Sequence, residues 1–349
     1  MKKMLALLLA LVMVLSLAAC ASSQPAATDA AASTETAETT ETTEPAAEES
    51  AEAPAESGKT YTVGVCQLVQ HEALDAATQG FIDALTEELG DAVTVDVQNA
   101  SGDSVNCGTI VNGFVSKGVD LIMANATPAL TAAVSATADI PILGTSITAY
   151  GVALDIDDFN GTVGGNVSGT SDLADLQAQA QMILDWFPET KTVGLLFCSA
   201  EPNSRYQIDE VRKALEAQGV TCEEFAFTDS NDVSSVTQKA ADFSDVVYIP
   251  TDNTAASNTE AIANVLIPAG VPAICGEEGL CRGCGVATLS ISYYDLGVTT
   301  GKMAAKILKG EADISTMPVE YTDATPKYNA SVCEQLGITP LDGYEAIDG

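Results

Sequence analysis

The sequence predicts an α/β protein built as two similar, doubly wound, mostly parallel sheet lobes. Two observations carry this. From Val63 onward, short apolar runs alternate with helical patterns, the βαβ order that gives a parallel sheet. The same order then recurs. Thr192-Val193-Gly194-Leu195-Leu196 echoes Thr62-Val63-Gly64-Val65 at an offset of 130 residues. Ser244-Asp245-Val246-Val247 echoes Val119-Asp120-Leu121-Ile122 at 125, and Val271-Pro272-Ala273-Ile274 echoes Ile140-Pro141-Ile142-Leu143 at 131. A repeat of domain size means two like domains rather than a solenoid.

The chain begins with Lys2 and Lys3, an uncharged and largely apolar run over residues 4–17, and then Leu17-Ala18-Ala19-Cys20. That run is too short for a comfortable membrane span, and its flanks are those of a secretory signal over residues 1–20. Leu-Ala-Ala-Cys resembles a bacterial lipobox, which implies lipidation of Cys20 and a mature chain that starts there. Residues 21–59 are mostly Ala, Thr, Glu, Ser and Pro, with nine acidic residues and no Leu, Ile, Val or Met. Such a segment cannot offset its ordering entropy by burial, so it is expected to be a disordered tether with a reach of about 35 Å.

From residue 60 the elements follow in order. Strands are expected at 62–67, 93–97, 120–124 and 140–143, with amphipathic helices at 73–89, 104–117 and 128–136. A strand-like stretch near 166–170 gives way to a helix at 173–187, capped by Ser171 or Asp172. After the second series, a strand at 286–291 precedes a helix from Tyr293 to Leu308, ended by Gly310. One more strand and a short helix close the chain. About 290 residues are too many for a single core, in keeping with two lobes.

The folded part carries 40 acidic against 11 basic residues, and the whole chain has a formal charge of −35. So acidic a surface argues against nucleic acid or an anionic membrane face as a partner. Eight cysteines follow Cys20. Cys66, Cys198, Cys222 and Cys275 sit at strand ends, places suited to buried thiols. Cys275, Cys281 and Cys284 cluster near a loop, where buried thiols are the leading expectation and one disulfide in the Cys281–Cys284 region is the alternative. No metal is expected, because a zinc site there would lack a fourth ligand, with the only histidine, His71, far off in sequence.

Six stretches together resemble one family: QLVQHEALDAATQGF from Gln67, GTSD at 169–172, EPNSRYQ at 201–207, TDNTAAS at 251–257, GEEGL at 276–280 and ISYYDLG at 291–297. They are similar to the solute-binding lipoproteins of ABC transporters related to tryptophan- and tyrosine-binding proteins, and they run in order through residues 60–340. The resemblance implies the type 1 periplasmic binding protein fold, with a hinge of three crossovers. One lobe would hold 60–168 plus 293–316 and the other 169–292 plus 317–349, so that the strand near 318–322 joins the second. It further implies an amino acid ligand, a permease and its ATPase as partners, a monomeric receptor, and an extracytoplasmic place on the cell membrane through Cys20. Two departures stand out. Glu72 replaces the family's usual Pro after the histidine, and Cys281 and Cys284 replace polar or charged residues.

Ligands in such sheets favour strand carboxyl ends, helix amino ends and interdomain clefts. Candidate carboxylate donors are the backbone and side chains at Asn125, Ala126 and Thr127, and at Thr145 and Ser146. Thr127 serves equally well as a helix cap. The repeat sets Asp252, Asn253, Glu277 and Glu278 on the facing wall, with Asp252 or Glu277 as ammonium partner; alternatively, Asp252 caps the helix that begins near Ala255 and Glu278 is solvated. Gln67 and His71 bring the first strand–helix junction to the cleft. Asn203, Ser204 and Tyr206 are its counterpart in the second lobe. Tyr150, Phe159, Tyr293 and Tyr294 are further aromatic candidates, whereas Trp186 reads as core.

His71 and Asp75, four apart, are expected to pair. No G-x-S-x-G elbow, phosphate loop or dinucleotide fingerprint accompanies them, which points away from an enzyme and from any cofactor. The leading expectation is a receptor that closes on an aromatic amino acid. Alternatives are a sensing module without transport, a receptor for a sugar or nucleoside, or a hydrolase using His71.

Overall fold

A computed structural model describes residues 58–347. The signal segment, Cys20 and nearly all of the acidic tether lie outside the described residues. Two sheets organise the chain. The first contains β1 (Tyr61–Gln67), β2 (Val93–Asn99), β3 (Leu121–Asn125), β4 (Ile142–Ile147) and β5 (Val167–Ser171). The second contains β6 (Thr192–Cys198), β7 (Thr221–Phe227), β8 (Val246–Ile249), β9 (Ala273–Cys275) and β10 (Ala287–Ser290). Three short strands follow: β11 (Glu320–Tyr321), β12 (Thr325–Tyr328) and β13 (Glu345–Ala346).

The spatial orders are β11-β5-β4-β3-β1-β2 and β13-β12-β10-β9-β8-β6-β7. Each lobe therefore reverses direction between its first and third strands, the switch point at which a doubly wound sheet opens a crevice. Every pairing is parallel except β10 with β12.

Alternation along the strands builds both faces of each sheet. In β1, Val63 and Val65 pack with Phe81, Met303 and Leu308, while Cys66 packs on the other side with Val111 and Phe114. In the second sheet, Val193, Leu195 and Phe197 face Ile208 and Val211, and Leu196 and Cys198 face Val233 and Leu266. Covered on both faces, these strands are almost wholly buried, as parallel strands must be. Trp186 lies in this second core, edge-on to Tyr344.

Several elements differ from the sequence expectation. The strand expected at 140–143 runs from Ile142 to Ile147, so Thr145 and Ser146 lie within it rather than after it. Ser146 has φ +56°, and the pairing with β5 shifts register between Gly144 and Ile147. The helix expected from 173 spans Leu176–Trp186 and is capped by Asp175, which accepts from the Gln177 and Ala178 amides. Ser171 is spent in β5, and Asp172 is used elsewhere. The strand near 318–322, expected in the second lobe, is β11 and pairs with β5 in the first sheet. The chain thus passes between the sheets after β5, after β10 and after β11.

The helix Tyr293–Lys309 packs on Glu72–Leu89, backbone against backbone. A Cβ on Gly297 would stand 2.0 Å from the Ala77 carbonyl oxygen, and one on Gly80 would stand 2.1 Å from that of Tyr294. Only glycine permits so close an approach. All eight described cysteines are free thiols, seven of them buried, in keeping with the leading expectation, and the alternative disulfide at Cys281–Cys284 is not formed. Among the described residues no helix is long and apolar enough to cross a membrane, and no group of side chains is arranged to hold a metal.

Candidate functional site

The carboxyl ends of both sheets enclose a small cavity between the lobes. From the first lobe come His71, Leu74, Ser146, Thr148 and Asp172. From the second come Asn203, Thr251, Asp252, Asn253, Ala256 and Glu277, and Tyr293 enters from the second crossing. The space totals about 270 Å³, solvent mouth included. Room for the centre of a water-sized sphere is only about 10 Å³, enough for about one water molecule, so the walls must part to admit a larger solute.

Three of the lining residues carry buried polar atoms that make no hydrogen bond with the protein: Ser146 Oγ, Asp172 Oδ1 and Asn203 Oδ1. Their residues are 6%, 5% and 5% exposed. Unpartnered buried polar atoms are costly and uncommon, and three around one cavity mark it as a place for a ligand. The positive φ of Ser146 adds backbone strain at the same spot.

The sequence reading left Leu74, Thr148, Thr251 and Ala256 out of the site and, of most consequence, Asp172. Its Oδ2 accepts the Tyr293 hydroxyl at 2.9 Å. Burial raises its pKa against the opposing pull of that bond and of the nearby Thr148 hydroxyl. The sequence signal was present, because Asp172 closes the GTSD motif, but an Asp just before a helical pattern reads as a cap.

Asp252 and Glu277 do line the cavity, yet their carboxylates are occupied. Asp252 accepts from the Cys198 amide at 2.6 Å, the Ser204 hydroxyl at 2.7 Å and the Ala255 amide at 2.8 Å. Glu277 accepts from the Leu280 and Gly279 amides at 2.5 and 2.6 Å. Asp252 therefore takes the helix-capping alternative, and Glu277, which the sequence reading offered only as an ammonium partner, also caps a helix. Burial, with the Glu201 charge behind it, pushes Asp252 up to about 8, and burial pushes Glu277 up to about 7.

His71 does not pair with Asp75. Its Nε2 lies 3.2 Å from Asn253 Oδ1, across the lobes. The Asn253 amide group donates to Glu201 Oε2 at 2.7 Å, which leaves Oδ1 as acceptor and puts the proton on Nε2. Burial holds the imidazole below its ordinary pKa. Asp75 instead accepts from Gln67 Nε2 at 2.6 Å, and Gln67 Oε1 accepts from Thr78 at 2.6 Å. Gln67 is thus a brace beneath the junction rather than part of the cavity wall.

The other expected residues also stand behind the wall. Asn125 donates to the Leu74 carbonyl at 2.8 Å and to Thr78 at 3.0 Å. Ala126 takes φ +89° before the helix Thr127–Ala136, and Thr127 is buried at its start. Thr145 Oγ1 meets Thr170 Oγ1 at 3.1 Å. Ser204 holds Asp252, and Tyr206 packs against the second lobe's core. Among the aromatic candidates only Tyr293 reaches the cavity. Tyr150 stacks with Phe159 in the first lobe, and Tyr294 is exposed.

Two lobes of like topology closed over a cavity lined with unpartnered polar atoms define a solute receptor. The comparisons with known proteins agree. Residues 62–343 match the family model described as ABC transporter substrate binding protein, and the chain belongs to that family. A tyrosine-binding protein of Clostridioides difficile (strain R20291) is 33% identical over 276 residues, covering 77% of this chain and 79% of that protein. The structure of an ABC domain in complex with L-Trp from Streptococcus pneumonia is 32% identical, covers 82% of this chain and 100% of its own, and has a TM-score of 0.78. A ligand-free, open substrate-binding protein with adhesive properties from Clostridium difficile, 33% identical over 83% of this chain and 99% of its own, has a TM-score of 0.63. At nearly equal identity, the lobe arrangement here is nearer the tryptophan complex than the open form. Proteins of this family bind solutes outside the cytoplasm for ABC transporters.

Proposed function

We propose that this chain captures an aromatic amino acid, tryptophan, tyrosine or phenylalanine, by closing its lobes, and delivers it to an ABC permease and its ATPase. The observation that carries this reading is Asp172 Oδ1, a buried carboxylate oxygen with no hydrogen bond, facing a cavity with no Lys or Arg among its lining residues. A ligand ammonium satisfies it. Leu74, Ala256 and the Tyr293 ring offer apolar surface for a side chain. His71, Ser146, Asn203 and Asn253 complete the contact set, while Asp252 and Glu277 hold the helices that shape the second wall. Likeness to the tyrosine-binding relative and to the L-Trp complex supports the ligand class.

Closure follows binding because the ligand meets both walls only when the lobes are together. In this reading the receptor is a monomer held at the membrane by a lipid on Cys20, with residues 21–59 as its tether. Isothermal titration with the three aromatic amino acids tests the ligand class. Saturable binding of at least one is expected. Failure of all three, with a sugar or nucleoside binding instead, removes the amino acid assignment and leaves a receptor for a different solute.

A further inference from the structure

We propose, resting on the receptor reading above, that the amino end of the helix Glu72–Leu89 seats the ligand's carboxylate, and that His71 keeps this seat open by committing its side chain to the other lobe.

The first amides of a helix have no acceptor within it. In Glu72–Leu89 the first bond runs from the Asp75 amide to the His71 carbonyl at 3.0 Å, so the amides of Glu72, Ala73 and Leu74 precede it. No side chain caps them. His71 stands at the cap position with extended backbone, φ −160° and ψ 166°, where Ser, Asp or Asn would fold back onto the second or third amide. Its imidazole instead reaches Asn253 across the lobes at 3.2 Å. His71 and Leu74 both line the cavity, which brings the open turn to its wall. Such a turn suits an anion. The acids of this turn are held elsewhere, Glu72 by Arg282 at 3.1 Å and Asp75 by Gln67 at 2.6 Å.

The helix starts on the second wall are served by the protein's own acids. The Asn253 and Thr254 amides donate to Glu201 at 3.0 and 2.9 Å, and the Ala255 amide donates to Asp252 at 2.8 Å. The Gly279 and Leu280 amides donate to Glu277 at 2.6 and 2.5 Å. The helix Pro202–Glu216 also lacks a side-chain cap, but its first residue has no amide proton and the Glu201 carboxylate lies 3.3 Å from the Asn203 side chain, so an anion there meets a like charge.

Ser146 marks the first-lobe seat independently. Its hydroxyl is buried, without a partner and at the same cavity, and it can donate to an anion. The other two unpartnered atoms, Asp172 Oδ1 and Asn203 Oδ1, only accept and fit an ammonium. The cavity therefore offers donors for one end of an α-amino acid and acceptors for the other, which fixes the direction in which the ligand lies.

Calorimetry on the full chain tests this by comparing each aromatic amino acid with the amine that lacks its carboxylate: tryptamine, tyramine or phenethylamine. The native protein should prefer the amino acid by roughly ten- to a hundredfold, the scale of hydrogen bonds to a charged group. His71→Ala breaks the contact with Asn253 but leaves the amides free, so both ligands should weaken by a similar factor and the preference should survive. His71→Asp supplies a capping carboxylate, as Asp252 and Glu277 do for their helices. It should raise the thermal midpoint above that of His71→Ala and cut the preference to within about threefold. Ser146→Gly, which accepts the positive φ, should weaken the amino acid by roughly tenfold and the amine little. An amine that binds the native protein as tightly as its amino acid overturns the proposal and leaves the receptor reading standing. So does a full preference retained by His71→Asp with its midpoint raised. If that variant does not fold or its midpoint does not rise, Ser146→Gly decides, and a full preference there is equally fatal. If neither amino acids nor amines bind, the receptor reading fails with it.

Discussion

The Tyr293 hydroxyl donates to Asp172 Oδ2 at 2.9 Å, and the two residues lie on different crossings between the lobes. Asp172 follows β5 on the first crossing, and Tyr293 begins the helix that follows β10 on the second. The carboxylate whose Oδ1 is left open to the cavity is therefore held through its other oxygen by the hinge itself, so its charge state and the lobe geometry are linked. Tyr293→Phe should keep the fold, since the ring fills the same place, but leave Asp172 with one donor fewer. Its pKa, already raised by burial, should rise further. A proton on Asp172 competes with a ligand ammonium, so affinity is full above that pKa and is lost as pH falls through it. Binding to Y293F should weaken roughly tenfold at neutral pH, the scale of a hydrogen bond to a charged group. Its decline on acidification should also begin at a higher pH than in the native protein. An unchanged pH profile would show that the phenol does not tune the carboxylate.

The capping acids predict how the ligand-free protein responds to pH. Glu277 is raised from 4.5 to about 7 and Asp252 from 3.8 to about 8, both chiefly by burial. A folded-state pKa raised above the unfolded value gives stability that is present below the unfolded pKa and lost as pH rises through the folded one. The thermal midpoint should therefore fall between about pH 5 and pH 8.5. His71 acts in the opposite sense: its depressed pKa gives stability lost as pH drops below 6.5. It is one group against three, because burial raises the Asp172 carboxyl in the same sense as Asp252 and Glu277. Glu277→Gln, which retains an oxygen to cap the helix, should flatten the upper part of the curve in differential scanning calorimetry. A midpoint that rises steadily from pH 5 to 8.5 would contradict the assignment.

The repeat in the sequence revealed the architecture because parallel strands leave continuous apolar runs, as in Val63–Val65 and Leu121–Met123, and glycines mark helix ends such as Gly118 and Gly310. The cleft was legible as a place, and His71, Ser146, Asn203, Asp252, Asn253 and Glu277 all line it. What each does there was not legible. Asp252, Glu277 and Asp172 are all acids near a helix start, and a linear pattern cannot tell a spent carboxylate from an open one. The difference lies in contacts distant in sequence, 54 residues from Asp252 to Cys198 and 121 from Asp172 to Tyr293. Gln67 likewise read as a cleft residue from its strand-end position, yet Asp75 and Thr78 on the next helix engage both ends of its amide. The strand β11 was misplaced because two residues carry no periodicity, and only pairing with β5 assigns it.

The glycine contact between the helices Glu72–Leu89 and Tyr293–Lys309 makes a prediction about stability. Gly297→Ala places a methyl group 2.0 Å from the Ala77 carbonyl oxygen, a backbone atom that cannot turn aside. The helices must separate, as in other overpacked cores, at a cost of about 1–3 kcal/mol. The thermal midpoint should fall by several degrees. Gly108→Ala, in the interior of the helix Ser104–Lys117 where a Cβ meets nothing within 4 Å, should instead be neutral or mildly stabilising. Equal midpoints for the two variants would show that the helix contact yields without strain.

Glu72 and Arg282 meet across the mouth of the cleft, with Nε and Oε1 3.1 Å apart. Arg282 also binds Glu278 at 2.8 Å, and Lys327 meets the other Glu278 oxygen at 2.6 Å, so the second-lobe side is braced. Because the pair joins the lobes, it exists only when they are closed and should slow their opening. Both partners are partly exposed, 34% for Arg282 and 52% for Glu72, so the contribution is modest and screened by salt. Glu72→Gln should therefore speed ligand release by roughly two- to fivefold at low ionic strength, with the difference shrinking near 1 M salt. Glu72→Pro should do the same without loss of thermal stability, because proline suits the first turn of a helix. Stopped-flow displacement at two salt concentrations separates the outcomes. Faster release that persists at high salt would assign the effect to local packing, and unchanged release would leave the ion pair without a part in closure.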